Sequence, residues 1–178
     1  YSTSRANYAA ELVAERLTGK PAEKFKNAAM EWGSAQEADA RTLYSFIHSV
    51  EVQQVGLVLH PTLEHACASP DGLVGEDGLV EIKCPLTATH ISSLLGGEID
   101  GKYHKQMAWQ MHLTGRSWCD FVSYDCRLPA EMQLFVKRVQ RDDILIAELE
   151  KEVRVFLDEV AETVAKLRKL YLDKEMAA

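Results

Sequence analysis

Two short runs, Ser69-Pro70-Asp71 and Glu81-Ile82-Lys83, stand on either side of Gly75-Glu76-Asp77-Gly78 and constrain the fold more than anything else in the chain. Apolar and β-branched residues flank the glycine-bounded break, which predicts strands at about 66–74 and 79–84 joined as a hairpin. Side chains two apart on a strand share a face, so Glu81 and Lys83 point one way while Ile82 points into a core. In an antiparallel hairpin the numbers of opposed residues sum to a constant. A two-residue loop at Glu76-Asp77 pairs Asp71 with Ile82 and turns the Asp away from Glu81. A three-residue loop centred on Asp77 pairs Asp71 with Lys83 and leaves Gly78 for the left-handed bulge position. The second register is expected, because it gathers the charged residues on one face.

Two carboxylates and an ammonium on one patch make a hard-cation site. Oxygen ligands suit Mg²⁺, which keeps several waters and takes one or two carboxylates together with substrate phosphate. The main-chain carbonyl of Ile82, between the two side chains, can add a ligand. Lys83 would hold or deprotonate an attacking water and offset charge building on phosphate, which gives phosphodiester hydrolysis. Taken singly, a Glu-x-Lys pair and an Asp at a turn are ordinary surface features. Together, in a hairpin and behind a Pro, they resemble the PD-(D/E)xK nuclease pattern.

The rest of the chain reads as alternating elements in one domain, 1–178. Helices are expected at about 6–17, ended by Gly19 and Pro21, and at 27–46, with Met30, Trp32, Ala35, Ala38, Leu43 and Phe46 on its apolar side. A strand is expected over 50–59, before His60-Pro61. After Pro85 come helices near 87–95 and 103–113, strands near 118–124 and 132–139, and a final amphipathic helix of some thirty residues from Ile144. Trp109, Met111 and Leu113 read as helix core.

Composition narrows the function classes. The 178 residues carry 20 Lys+Arg against 27 Asp+Glu, a formal charge of 20 − 27 = −7. That argues against a non-specific basic nucleic-acid coat, but not against a cleft with locally positive charge. Ten acids against six bases fall in residues 142–178, where a solvated helix face accounts for them. No apolar run approaches the roughly 18 residues of a membrane span. Four Cys at 67, 84, 119 and 126 match no zinc, redox or iron–sulfur spacing and read as reduced core thiols. Six His without HxH or HExxH spacing argue against a zinc enzyme, and the absence of a Gly-rich phosphate loop argues against an ATP-driven motor. The opening Tyr1-Ser2-Thr3-Ser4-Arg5 has no initiator Met and no signal core, so a segment upstream of it is expected.

Four stretches carry a closer likeness: residues 32–43 (WGSAQEADARTL), 67–73 (CASPDGL), 78–85 (GLVEIKCP) and 103–107 (YHKQM), followed by 118–125 (WCDFVSYD). In this order they resemble the phage lambda exonuclease, or YqaJ-type viral recombinase, family. The resemblance implies an α/β restriction-endonuclease-like core: a mixed central sheet flanked by helices, with a long C-terminal helix. It implies Mg²⁺-dependent, processive 5′→3′ digestion of one strand of linear double-stranded DNA. Mn²⁺ would substitute, and two ions would sit in each site. It also implies a homotrimeric ring, a single-strand annealing protein as partner, and a phage or prophage origin with action in the bacterial cytoplasm, away from membranes.

By position, the resemblance makes Asp71 and Glu81 metal ligands, Lys83 the catalytic lysine, Glu37 the helix-borne acid near the second metal, and Gln106 the group that orients water or Lys83. Ser69 is expected to donate to a phosphate. Two departures matter: the family's upstream Arg segment for the 5′ phosphate precedes this chain's first residue, and the basic residue after Lys-Cys-Pro is replaced by Thr87, Ala88, Thr89 and His90. Lys102, His104 and Lys105 are the candidate phosphate contacts in their stead, with Arg116 and Arg127 behind them. The rival readings are a site- or structure-specific endonuclease on the same core and a non-catalytic DNA-end-binding protein.

Overall fold

A computed structural model of the chain describes residues 2–22 and 27–172, apart from the Ala29 side chain. The last six residues of the acidic C-terminal stretch lie outside the described residues. The elements are α1 (Thr3–Thr18), α2 (Ala28–His48), β1 (Val52–Gln53), β2 (Val58–Leu59), β3 (Cys67–Ala68), β4 (Gly72–Val74), β5 (Gly78–Lys83), α3 (Thr87–Leu94), α4 (Gly101–Thr114), β6 (Trp118–Tyr124), β7 (Leu134–Gln140) and α5 (Asp143–Leu167). They form two compact units, one of Lys26–Leu149 and one of Tyr1–Phe25 with Glu150–Ala178.

The larger unit is built on a five-stranded mixed sheet in the order β1-β4-β5-β6-β7, with β5 and β6 parallel and every other pair antiparallel. A parallel pair needs a crossover, and α3 and α4 supply it. The sheet divides the core into two layers. Val80, Ile82, Val122 and Tyr124 pack with Ala40 and Tyr44 of α2, while Leu79, Cys119 and Phe121 pack with Met107 and Met111 of α4. Alternation along β5 therefore sends Glu81 and Lys83 to the α4 layer. A buried hydrogen bond from the Tyr44 hydroxyl to Asp120 Oδ2 (2.7 Å) ties α2 to β6, and Arg138 grips the same carboxylate through Nε and Nη2 (2.7 and 2.9 Å). Burial in the company of Asp120 pushes the Tyr44 phenol well above its usual range, so it stays a donor. In the smaller unit Val13 of α1 packs with Val160 and Val164, Tyr8 stacks on Phe156, and Arg5 pairs with Glu159 at 2.6 Å.

Several expectations change. The run 50–59 is not one strand: β1 joins the main sheet and β2 pairs with β3 in a separate two-stranded ribbon. Pro70 likewise divides 66–74 into β3 and β4, because it cannot donate to a ladder. The buried side of α2 is Ala40 and Tyr44, whereas Phe46 is 82% exposed and Met30 is exposed as well. Only Cys119 is a buried thiol; Cys84 is half-buried, and Cys67 and Cys126 are exposed. The long last helix is as expected: α5 runs 25 residues and a π-helical turn of 5, Arg168–Leu172, continues it.

The hairpin loop also differs by one residue. Gly72 pairs with Val80, Leu73 with Leu79 and Val74 with Gly78, so partner numbers sum to 152 and the three-residue loop is Gly75-Glu76-Asp77, centred on Glu76. Gly75 takes the left-handed conformation at φ +53°. Gly78 serves packing: a Cβ there would fall inside the Trp118 ring, which covers that position from β6. Continuing the register past the end of β4 sets Asp71 opposite Glu81 rather than Lys83.

Candidate active site

The ladder between β4 and β5 stops at the Gly72–Val80 pair, so the β4-side edge of β5 from Glu81 onward is open to side chains. Asp71, one residue before β4, uses this edge: its Oδ2 accepts the Ile82 N–H at 2.7 Å. In extended backbone the N–H and C=O of one residue face the same side, so the Ile82 carbonyl also points toward Asp71.

Glu81 is fully buried and both its carboxylate oxygens are engaged. Oε1 pairs with Lys83 Nζ, and Oε2 accepts from Gln110 Nε2 at 2.7 Å. Lys83 lies between this carboxylate and the Tyr103 ring, with Nζ 5.1 Å from the ring centroid. Glu37 approaches from α2, where Arg41, one turn on, donates from Nη2 to Glu37 Oε1 (2.7 Å) and from Nε to the Asp71 carbonyl (3.2 Å). The layers explain the meeting place. Because α2 and α4 cover opposite faces of the sheet, an acid on α2 meets the β5 carboxylates only at the open edge where β4 ends.

The charges are undercompensated, with three acids (Asp71, Glu81, Glu37) facing two bases (Lys83, Arg41). Burial, then the charge of Glu81, pushes the Asp71 carboxyl up to about 7, with Glu37 adding to the rise and the Ile82 N–H and Lys83 opposing it. Burial alone would lower the Lys83 pKa, but the Glu81 charge and hydrogen bond outweigh it, so the amine is raised and stays an ammonium at neutral pH. Burial raises the neighbouring Cys84 thiol to about 12, which leaves it protonated and a poor nucleophile or ligand. A hard divalent cation fits this donor set: clustered carboxylates and a carbonyl with excess negative charge, and no soft ligand.

A stability consequence follows for the metal-free protein. Asp71 holds its proton more tightly folded than unfolded, so between about pH 4 and pH 7 the folded state carries more protons and stability falls as pH rises. Lys83 is protonated in both states across that window and adds no slope. Chemical denaturation in a chelator should lose on the order of 3 kcal/mol from this group between those pH values, and Asp71→Asn should remove the loss. A parent protein equally stable at pH 5 and pH 8, or an unchanged slope in the variant, would contradict the assignment.

Sequence reasoning named Asp71, Glu81, Lys83 and Glu37, and the structure brings these four together. Gln106 is exposed on α4, one turn from Tyr103, which meets Lys83, and one turn from Gln110, whose amide holds Glu81. Gln110 sits on the same buried stripe as Met107 and Met111, and an amide on an apolar stripe demands a polar partner, which was the signal available. Arg41 was likewise legible as the i+4 partner of Glu37. Ser69, two residues before Asp71, is exposed. Lys102 pairs with Asp100 at the start of α4 (3.1 Å), His104 is half-buried, and Lys105 is exposed. Arg116 is committed to the hairpin, donating to the carbonyls of Val74, Gly75 and Gly78. Arg127 pairs with buried Asp125 and covers the Trp32 ring at 4.4 Å.

Residues 1–117 match the sequence model of the YqaJ-like viral recombinase domain. The chain belongs to that family. As a YqaJ-like domain it is similar to an alkaline exonuclease, LHK-Exo, from Laribacter hongkongensis: 50% identity and a TM-score of 0.90, covering 94% of this chain and 85% of that one. A structure of LHK-Exo in complex with dAMP matches equally well. A phage-related exonuclease from Haemophilus somnus 129PT shares the fold at 16% identity and a TM-score of 0.70, with 93% and 85% of the two chains covered. The YqaJ-like domain is also 30% identical over 106 residues to uncharacterized protein R354 of Acanthamoeba polyphaga mimivirus. That match takes in 51% of this chain and 19% of the viral protein.

Proposed function

We propose that this YqaJ-like domain is a deoxyribonuclease: a Mg²⁺-dependent, processive exonuclease that digests the 5′-ended strand of linear double-stranded DNA and leaves 3′ single-stranded tails for annealing recombination. The observation that carries the reading is the convergence of Asp71, Glu81, Glu37 and Lys83 on the open edge of β5, in a chain half-identical to an exonuclease. Asp71, Glu81 and the Ile82 carbonyl would hold one Mg²⁺, and Glu37 would serve a second; Mn²⁺ would fit the same oxygen set. The ions would supply Lewis-acid polarisation of the scissile phosphate and lower the pKa of a bound water.

The chain's own residues do the rest. Lys83, an ammonium, orients the attacking water and offsets negative charge growing on the phosphate oxygens. The water oxygen bonds to phosphorus as it gives up a proton to solvent, the bond to the leaving oxygen breaks, and that oxygen takes up a proton from a solvent water. Ser69 and, further out, Lys102, His104 and Lys105 would steady the strand through its phosphates. A homotrimeric ring around the duplex would give processivity without an ATP motor, and a single-strand annealing protein would receive the tail.

With Mg²⁺, linear duplex should be reduced to mononucleotides and long single strands while covalently closed circles survive. End-labelled duplex should lose its 5′ label first. Rapid cutting of closed circles would instead indicate an endonuclease, and binding of ends without hydrolysis a non-catalytic end-binding protein. Sedimentation at the mass of one 20.0 kDa chain with processivity intact would remove the ring and leave the chemistry.

A further inference from the structure

Gln110 has no part in the reading above, yet it is the deepest polar contact of the site. It is 1% exposed, its Nε2 lies 2.7 Å from Glu81 Oε2, and its Oε1 is a buried acceptor without a hydrogen-bond partner among the described residues. The orientation of the amide is therefore fixed by Glu81 alone, since turning it over would set two acceptors against each other. The two oxygens of Glu81 face different surroundings. Oε1 meets Lys83, whose side chain is 27% exposed and marks the open side, while Oε2 meets the interior amide.

We propose that Gln110 is a positioning residue that keeps Glu81 a one-oxygen ligand and so selects the cation. With Oε2 anchored to the interior amide, Oε1, shared with the mobile Lys83 ammonium on the open side, is the oxygen that an ion beside Asp71 would meet. Mg²⁺ needs a near-octahedral shell of single oxygens, whereas Ca²⁺ takes more ligands and gains from a carboxylate that offers both oxygens. A donor behind one oxygen thus favours the smaller ion. Partners of this kind commonly tune metal affinity by tenfold or more. The inference rests on Asp71 and Glu81 being cation ligands, as proposed above.

The test is calorimetric titration of the intact chain, without DNA, by Mg²⁺ and separately by Ca²⁺. Gln110→Met keeps the length of the side chain and removes the donor. The ratio of Ca²⁺ to Mg²⁺ affinity should rise roughly tenfold in this variant, and Ca²⁺ should inhibit hydrolysis at correspondingly lower concentration. A loss of packing alone would weaken both ions together and leave the ratio where it was. An unchanged ratio, with the parent binding Mg²⁺, overturns the role of Gln110 and spares the ligand assignment. A parent that binds neither ion overturns both. Should the Met variant not fold, infrared difference spectra of the parent, labelled at glutamate carboxyl carbon and loaded with Mg²⁺, decide the matter. A widened separation of the Glu81 carboxylate stretches is expected for one-oxygen ligation, and a narrowed one overturns the inference.

Discussion

Asp71→Asn and Glu81→Ala should each lower Mg²⁺-dependent hydrolysis by roughly 10³-fold or more, because each removes an anionic group proposed to hold the cation. Their stabilities should part company. Asp71 is a buried carboxyl pushed up to about 7 by burial and by Glu81, so neutralising it relieves strain at pH 8 in the metal-free protein. Its replacement by Asn also keeps an oxygen for the Ile82 N–H. Glu81→Ala does the opposite. It leaves the buried Gln110 amide and the Lys83 ammonium without their acceptor and should cost on the order of 3 kcal/mol. Melting curves in chelator, read beside single-turnover assays in Mg²⁺, separate the two effects. An Asp71→Asn protein with parental turnover would take Asp71 out of the ligand set. An Asp71→Asn protein less stable than the parent at pH 8 would show that the carboxylate is better compensated than its surroundings imply.

The contrast between these two acids also marks how far the sequence could be read. The hairpin, the one-face placement of Glu81 and Lys83 and the order of helices and strands follow from alternation and turn residues, which act over a few positions. The exact loop did not. Gly75 and Gly78 are both able to take a left-handed conformation, and local chemistry cannot choose between them. The choice is made by Trp118, some forty positions on, whose ring occupies the space beside Gly78. The division of 66–74 at Pro70 was written in the sequence, since proline interrupts a ladder, but the second ribbon that β3 joins depends on β2 and is non-local. The family resemblance pointed to Gln106 on α4, and helix phase relative to the Met107–Met111 stripe points in addition to Gln110, whose buried amide holds Glu81. Local patterning thus located the candidate site, and long-range packing set which atoms touch.

Lys83→Ala should still bind Mg²⁺ and DNA but lose turnover by several orders of magnitude, on the order of 10³-fold, and Lys83→Arg should recover little of it. The geometry gives the reason. Lys83 Nζ occupies a narrow place between Glu81 Oε1 and the Tyr103 ring, on a side chain only 27% exposed. A compact ammonium can turn from Oε1 toward a water or a phosphate oxygen within that space. A planar guanidinium is longer, spreads its charge over a fork, and would settle against the Glu81 carboxylate in a two-bond pair, holding shut the oxygen proposed to meet the cation. The raised pKa of Lys83 adds a second expectation: the amine is already protonated at neutral pH, so the lysine-dependent part of the rate should show no rise through pH 7–9 of the kind a general base would give. Single-turnover rates across that range for the parent and both variants check the argument. An Arg variant within a few-fold of the parent would reduce Lys83 to a simple positive charge. A rate that climbs tenfold per pH unit in the parent and not in the Ala variant would make it a base instead.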